Sequence, residues 1–155
     1  MRWIILLFIT GSLFAKDINY TDLYRFLPDI KNYKCENPTG SKLQTPQGDA
    51  ITVEKQCFNN NARIKFSIVT GSMAKITGAQ YVYIMEFDSP EEYVKTTTIQ
   101  GAKTILHYFK QEKRGSIVSI IKDDLIVNME YEGIDSREAL SIFKNIPIDK
   151  LKSLK

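Results

Sequence analysis

Apolar and polar residues alternate most regularly over Ile51–Phe58 and again over Ala62–Val69. In the second run Ile64, Phe66 and Ile68 fall on one side and Arg63, Lys65 and Ser67 on the other, which is the period-two signature of a half-buried strand. Asn59-Asn60-Asn61 lies between the runs and predicts a hairpin turn, because asparagine tolerates positive φ better than most residues. Three further strands are predicted at Lys103–Lys110, Ser116–Ile121 and Leu125–Tyr131, with Gln111–Gly115 and Lys122-Asp123-Asp124 as their turns. Tyr33-Lys34-Cys35 reads as another short strand. Asn37-Pro38-Thr39-Gly40-Ser41 and Pro46-Gln47-Gly48-Asp49 carry loop and turn chemistry.

Helical spacing appears in other stretches. Leu23, Phe26 and Leu27 share one face of a predicted helix Asp22–Leu27, capped by Thr21 and ended by Pro28. Two patterns compete over residues 72–87. Tyr81-Val82-Tyr83-Ile84 has strand propensity, yet Met73, Ile76, Gln80, Tyr83, Ile84 and Phe87 recur at helical spacing and predict a helix. Ser89-Pro90-Glu91-Glu92 has the form of a capping box and predicts a helix start, cut short by the β-branched Thr96-Thr97-Thr98-Ile99. Asp135 and Glu138 form a second such box, ahead of the apolar stripe Ala139, Leu140, Phe143 and Ile146. Pro147 stops that helix, and a last turn from Asp149 brings Leu151 and Leu154 together. The order helix, hairpin, helix, meander, helix predicts an α+β fold: a curved antiparallel sheet of about five to seven strands with helices packed on one face.

The first residues change the picture from fold to compartment. Met1-Arg2-Trp3 is followed by the apolar Ile4–Ile9, then by Thr10-Gly11-Ser12-Leu13-Phe14-Ala15, and polarity switches at Lys16. This is the charge, apolar run and small-residue order of a secretory signal peptide. We therefore expect residues 1–15 to be a cleaved leader and residues 16–155 to form a single α+β domain in the periplasm. The apolar run is shorter than the ~20 residues of a membrane-spanning helix, although the large Leu13 near the cut keeps an uncleaved anchor as the alternative. No Cys follows the run, which argues against a lipoprotein, and no transmembrane segment is expected after cleavage. The remaining chain of about 140 residues is long enough for one real core. Composition fits a globular chain, with 43% hydrophobic and 25% charged residues. The formal net charge of +3 comes from interleaved bases and acids, densest at Lys150, Lys152 and Lys155. That is neither a basic stripe nor a known motif, so no nucleic acid partner is expected.

Candidate chemistry is sparse. Cys35 and Cys57 are the two cysteines, and in an oxidising compartment they predict a disulfide, with buried free thiols as the alternative. His107 is the single histidine. On an alternating strand it shares a face with Ile105 and Phe109, so a half-exposed strand residue is expected. Met73, Met85 and Met129 could join it in a soft-metal site, but they lack ligand spacing and read as packing residues. The acidic pairs Glu91-Glu92, Asp123-Asp124 and Glu130/Glu132 are accounted for by a cap, a turn and a wet strand face, and Gly71-Ser72-Met73 lacks the nucleophile-elbow context. No catalytic, cofactor-binding or metal residue is expected. Asp17-Ile18-Asn19-Tyr20-Thr21 holds an Asn-x-Thr acceptor with an acid two residues before it, making Asn19 a glycosylation candidate. Tyr20, Tyr24, Tyr33, Tyr81, Tyr83, Tyr93, Tyr108 and Tyr131 could line a groove or pack within the sheet.

Thr96-Thr97-Thr98-Ile99-Gln100-Gly101, a following strand, a basic turn with Gly115, a hydrophobic hairpin, Glu132-Gly133, a helix and Ile148-Asp149-Lys150-Leu151 follow one pattern, joined near the start by Leu27-Pro28. This pattern resembles a group of small uncharacterised exported proteins of Gram-negative bacteria over most of residues 21–154. The element order is also similar to the Mog1/PsbP-type sandwich, a fold of accessory and assembly factors. The resemblance implies an exported α+β protein and carries no activity. The expected function is that of a non-enzymatic periplasmic accessory or binding protein, engaging a protein partner or an apolar ligand through a sheet/helix groove. The alternatives are a hydrophobic-ligand (lipid) carrier, an enzyme using Glu130, Asp123 or His107, and a metal-handling protein.

Overall fold

The computed structural model describes residues 18–154. The expected leader, Met1–Ala15, lies outside these residues. The described chain opens with α1 (Tyr20–Leu23), continued by a 3-10 turn at Tyr24–Phe26. Asn19 caps α1, not Thr21: its side chain accepts from the Thr21 amide while the Asp22 carboxylate accepts from the Asn19 amide. Leu27 is extended before Pro28, as proline requires of its predecessor. Leu23, Phe26 and Leu27 are all buried.

Nine strands follow among the described residues, all antiparallel and all in one open sheet. They are β1 (Lys34–Cys35), β2 (Thr39–Thr45), β3 (Gly48–Phe58), β4 (Arg63–Gly71), β5 (Phe87–Asp88), β6 (Glu92–Ile99), β7 (Ala102–Phe109), β8 (Arg114–Lys122) and β9 (Leu125–Glu132). The order across the sheet is β1-β3-β4-β9-β8-β7-β6-β5, with β2 pairing β3 beside β1. Two meanders, β2–β4 and β5–β9, thus meet where β4 pairs β9. Helix α2 (Ser72–Gln80) carries the chain from the middle of the sheet to its far edge; α3 (Ser136–Phe143) and α4 (Ile148–Lys152) end the fold.

Five expectations are corrected here. The sheet holds nine strands, not five to seven. Thr39-Gly40-Ser41, predicted as loop, opens β2, and the expected helix start before the threonines is a turn into β6: Ser89 Oγ accepts from the amides of Glu91 and Glu92 and the chain runs on extended. The helices also do not share one face. The main core buries Ile64, Phe66, Ile68, Val127 and Met129 against Phe143, Ile146, Ile148 and Leu151. On the opposite side α2 sets Ala74 on Val118 and Ile126, with Val69 and Tyr81 at the margin. Helix α2 ends at Gln80, short of the predicted Phe87.

The hairpin turn between β3 and β4 stands where expected but works differently. Asn59 Oδ1 accepts from the amides of Asn61 and Ala62, at 2.9 and 2.8 Å, so side-chain capping closes the turn. Positive φ is used elsewhere, at Gln100 and Gly101 together, which is the two-residue hairpin geometry that suits the twist of β6 and β7.

Candidate functional site

The antiparallel register sorts the side chains into lateral rows. One parity faces the helical core. The other parity faces away from α3 and α4, and α2 covers it only at one end. Its first row runs Phe58, Arg63, Glu132, Arg114, Phe109, Glu92 from β3 to β6. The second runs Gln56, Lys65, Glu130, Ser116, His107, Val94. The third runs Glu54, Ser67, Asn128, Val118, Ile105, Thr96, and there burial begins. Each row sits across strands about 4.8 Å apart, close enough for neighbouring side chains to interact.

The first two rows enclose a shallow depression of about 540 Å³, lined by Gln56, Arg63, Lys65, Phe109, Arg114, Ser116, Glu130 and Glu132, with Gly115 and Tyr131. Two of its charges are held by neighbours. Lys65 Nζ lies 2.8 Å from Glu54 Oε1, and that bond, ahead of the cost of burial, raises the Lys65 pKa. Arg114 bonds Glu112, and its guanidinium stands 4.5 Å from the centre of the Phe109 ring. Asn128 Oδ1 at the inner margin is buried without a hydrogen-bond partner, while its amide reaches Glu130 at 3.4 Å. The surface therefore offers both signs of charge and flat aromatic area.

His107 lies on this face with Ile105 and Phe109, as alternation predicts. Its Nε2 is 2.6 Å from Glu92 Oε2 and its ring packs 4.4 Å from Phe109. Ser116 stands across from His107 in the second row and Glu92 reaches His107 from the first, so a hydroxyl, an imidazole and a carboxylate lie close together. The row lacks the rest of a hydrolytic site. The backbone amides beside it lie within the paired β7–β8–β9 ladder, so they are not free to converge on an oxyanion. Asp123 lies in the β8–β9 turn, at the other end of β9 from Glu130. Glu91 and Glu92 do not act as a helix cap. Glu92 instead pairs with His107, a contact that sequence spacing could not reveal because it depends on the β6–β7 register.

The soft-metal residues are not brought together. Met129 is fully buried on the helical face, whereas His107 is on the other, and Met73 and Met85 are exposed. No group of three His, Cys, Asp or Glu suited to a metal occurs among the described residues. Cys35 and Cys57 form the expected disulfide as directly paired residues of β1 and β3. Asn19 is exposed. Tyr93, Tyr108 and Tyr131 form a ladder on the helical face, with ring centres 5.7 and 6.2 Å apart, so their rings pack the sheet, and of the three only Tyr131 also borders the depression. Tyr83 is exposed at the far edge. None of the described helices is long and apolar enough to cross a membrane. Neither family models, curated proteins nor solved structures gave a match to the chain.

Proposed function

We propose that this chain is an exported, non-enzymatic binding protein of the periplasm that engages a protein partner through the open face of its sheet. The carrying observation is the contrast between the two faces. One is sealed by helices; the other presents Arg63, Lys65, Arg114, Glu130 and Glu132 beside Phe109 around a shallow depression. Aromatic and arginine side chains in a mixed-charge surround are the composition of protein-binding surfaces. The disulfide supports export. The space between sheet and helices is filled by Phe66, Phe143, Ile146 and Leu151, each with under 2% of its surface accessible, which favours a partner over an enclosed apolar ligand. Kinship with the exported Gram-negative proteins and with the Mog1/PsbP-type fold belongs to the same proposal, as does glycan attachment at the exposed Asn19.

The test places a photo-crosslinking residue at position 116 on the open face, or at position 144 beyond α3, in the protein as it is exported. The expected result is a discrete adduct from 116, absent from 144, and abolished by the double variant Arg63→Glu/Arg114→Glu. Equal labelling from both positions would reject the open face as the binding surface. Intact mass checks Asn19: a glycan mass should disappear in Asn19→Gln, and a bare chain mass dismisses it.

A further inference from the structure

We propose that the outer edge of β6, from Lys95 to Ile99, takes up an extended, uncharged segment of a partner polypeptide as an additional strand. The inference rests on the backbone of this edge and is independent of the open-face reading. Even-numbered residues of β6 turn their backbone groups outward. The Ser89 amide donates to Glu92 O, Phe87 of β5 pairs with Val94, and the Thr96 amide points out to Glu86. Thr98 has the same orientation by the two-residue period. Strand β5 is two residues long and stops at Val94. Beyond it, among the described residues, no backbone hydrogen bond reaches β6 from outside. The Glu86 carboxylate, 2.6 Å from the Thr96 amide, occupies the place of a neighbouring strand's carbonyl.

Sheet edges are usually blunted by proline, outward charge or a bulge. Here Lys95 Nζ is drawn back to Asp88 at 3.2 Å and over the Tyr93 ring, no proline occurs in β6, and its β6–β7 register is unbroken. Thr96, Thr97 and Thr98 are exposed, β-branched and uncharged, which suits a partner strand of β-branched or aromatic residues. The chain leading into β5 adds apolar surface at the same edge: Tyr83 is 93% and Met85 82% exposed. Five edge residues span roughly 17 Å, the reach of a short linear segment.

The probe is a library of seven-residue displayed peptides selected against the disulfide-bonded protein. Enriched peptides should carry β-branched or aromatic residues at alternate positions. A synthetic copy of the strongest should slow hydrogen exchange at the outward Thr98 amide, beyond the Thr96 amide that Glu86 already holds. Thr98→Pro removes one outward donor and no internal pairing, so it should weaken that peptide by about tenfold or more with an unchanged thermal midpoint. Should proline disturb folding, Thr98→Lys keeps the donor and sets a charge at the edge, with the same expected loss. Enrichment of no pattern, binding indifferent to both variants, or self-association of the chain that Thr98→Pro abolishes would overturn the proposal. Because residue 116 lies two strands inward of this edge and Thr98→Pro leaves the depression of the open face unaltered, a 116 adduct that persists in Thr98→Pro separates failure of the edge from failure of the open face.

Discussion

At the scale of single residues, two polar side chains bind distant parts of the chain together. Gln100 sits at positive φ in the β6–β7 turn; its Nε2 donates to the carbonyls of Lys144 and Ile146, and its Oε1 accepts from the Asp149 amide. It thus supplies a partner to the Lys144 carbonyl after α3 and to the Asp149 amide in the first turn of α4, and a second donor to the Ile146 carbonyl, which already accepts from the Ile148 amide. Gln100→Gly removes these bonds while relieving the backbone, so a loss of about 1–2 kcal/mol in urea unfolding would show that the clamp outweighs the strain. A neutral result would mean that the helices hold themselves. Lys55 is the second case. It lies on the core side of β3 with 9% of its side chain accessible, 2.6 Å from Asp29 Oδ1 and 3.3 Å from Leu27 O. Lys55→Ala strands the Leu27 carbonyl and should cost about 1–3 kcal/mol. Lys55→Met, which fills the space with apolar atoms, should cost less than the alanine variant. Equal losses would assign the whole effect to the bonds of the ammonium and none to packing of its stem.

Elements differ in how far they can be read from sequence, and the difference has a physical source. Strands β3, β4, β7, β8 and β9 bury one face, so apolar residues must alternate there, and the predicted spans agree with the observed ones to within a few residues. Helix α3 shows its Asp135 cap, which accepts from the amides of Arg137 and Glu138, and its apolar stripe. Strand β2 is nearly all exposed and carries no alternation; pairing with β3 alone makes it extended, and that is invisible in composition. Strand β6 was masked by a serine-proline-acid sequence that caps a helix or closes a turn equally well. Of the open face, the alternation of Arg63 and Lys65 was legible. The lateral neighbours Glu132, Arg114 and Glu92 were not, because register between strands far apart in sequence has no local signature. The disulfide was legible from compartment and number. It staples β1 to β3 across a 22-residue separation, so Cys35→Ser/Cys57→Ser should lose about 3 kcal/mol of unfolding free energy in denaturant, with β1 exchanging its amides first. A doubly substituted chain of unchanged stability would mean that strand pairing already fixes this segment.

Over the whole molecule, the division into a dry and a wet face sets the dependence on pH. The dry side holds Tyr131 and Tyr108, stacked across Gly115, where an added Cβ would lie 2.6 Å from the Tyr131 hydroxyl. Burial raises both phenols above their ordinary pKa, with Asp135 and neighbouring tyrosines adding to the effect. Groups whose pKa is raised by folding contribute stability that is complete below the unfolded value and is lost as pH climbs through the folded one, so stability should fall above about pH 10. At the acid end the relation reverses. Lys110, then Lys95, hold the Asp88 carboxyl below its usual range, and the Glu138 amide, then that of Arg137, does the same for Asp135. Both carboxylates support the fold above the unfolded carboxylate range of about pH 4, and that support is lost as acid protonates them. A plateau between these limits is the expected form of the urea midpoint against pH. Tyr131→Phe isolates the alkaline limb: the ring and its stacking remain, the titrating hydroxyl does not. The variant should match the parent at neutral pH and decline less steeply above about pH 10. An alkaline limb unchanged by the substitution would place the sensitivity in the exposed tyrosines and lysines, and the buried ladder would then have no part in it.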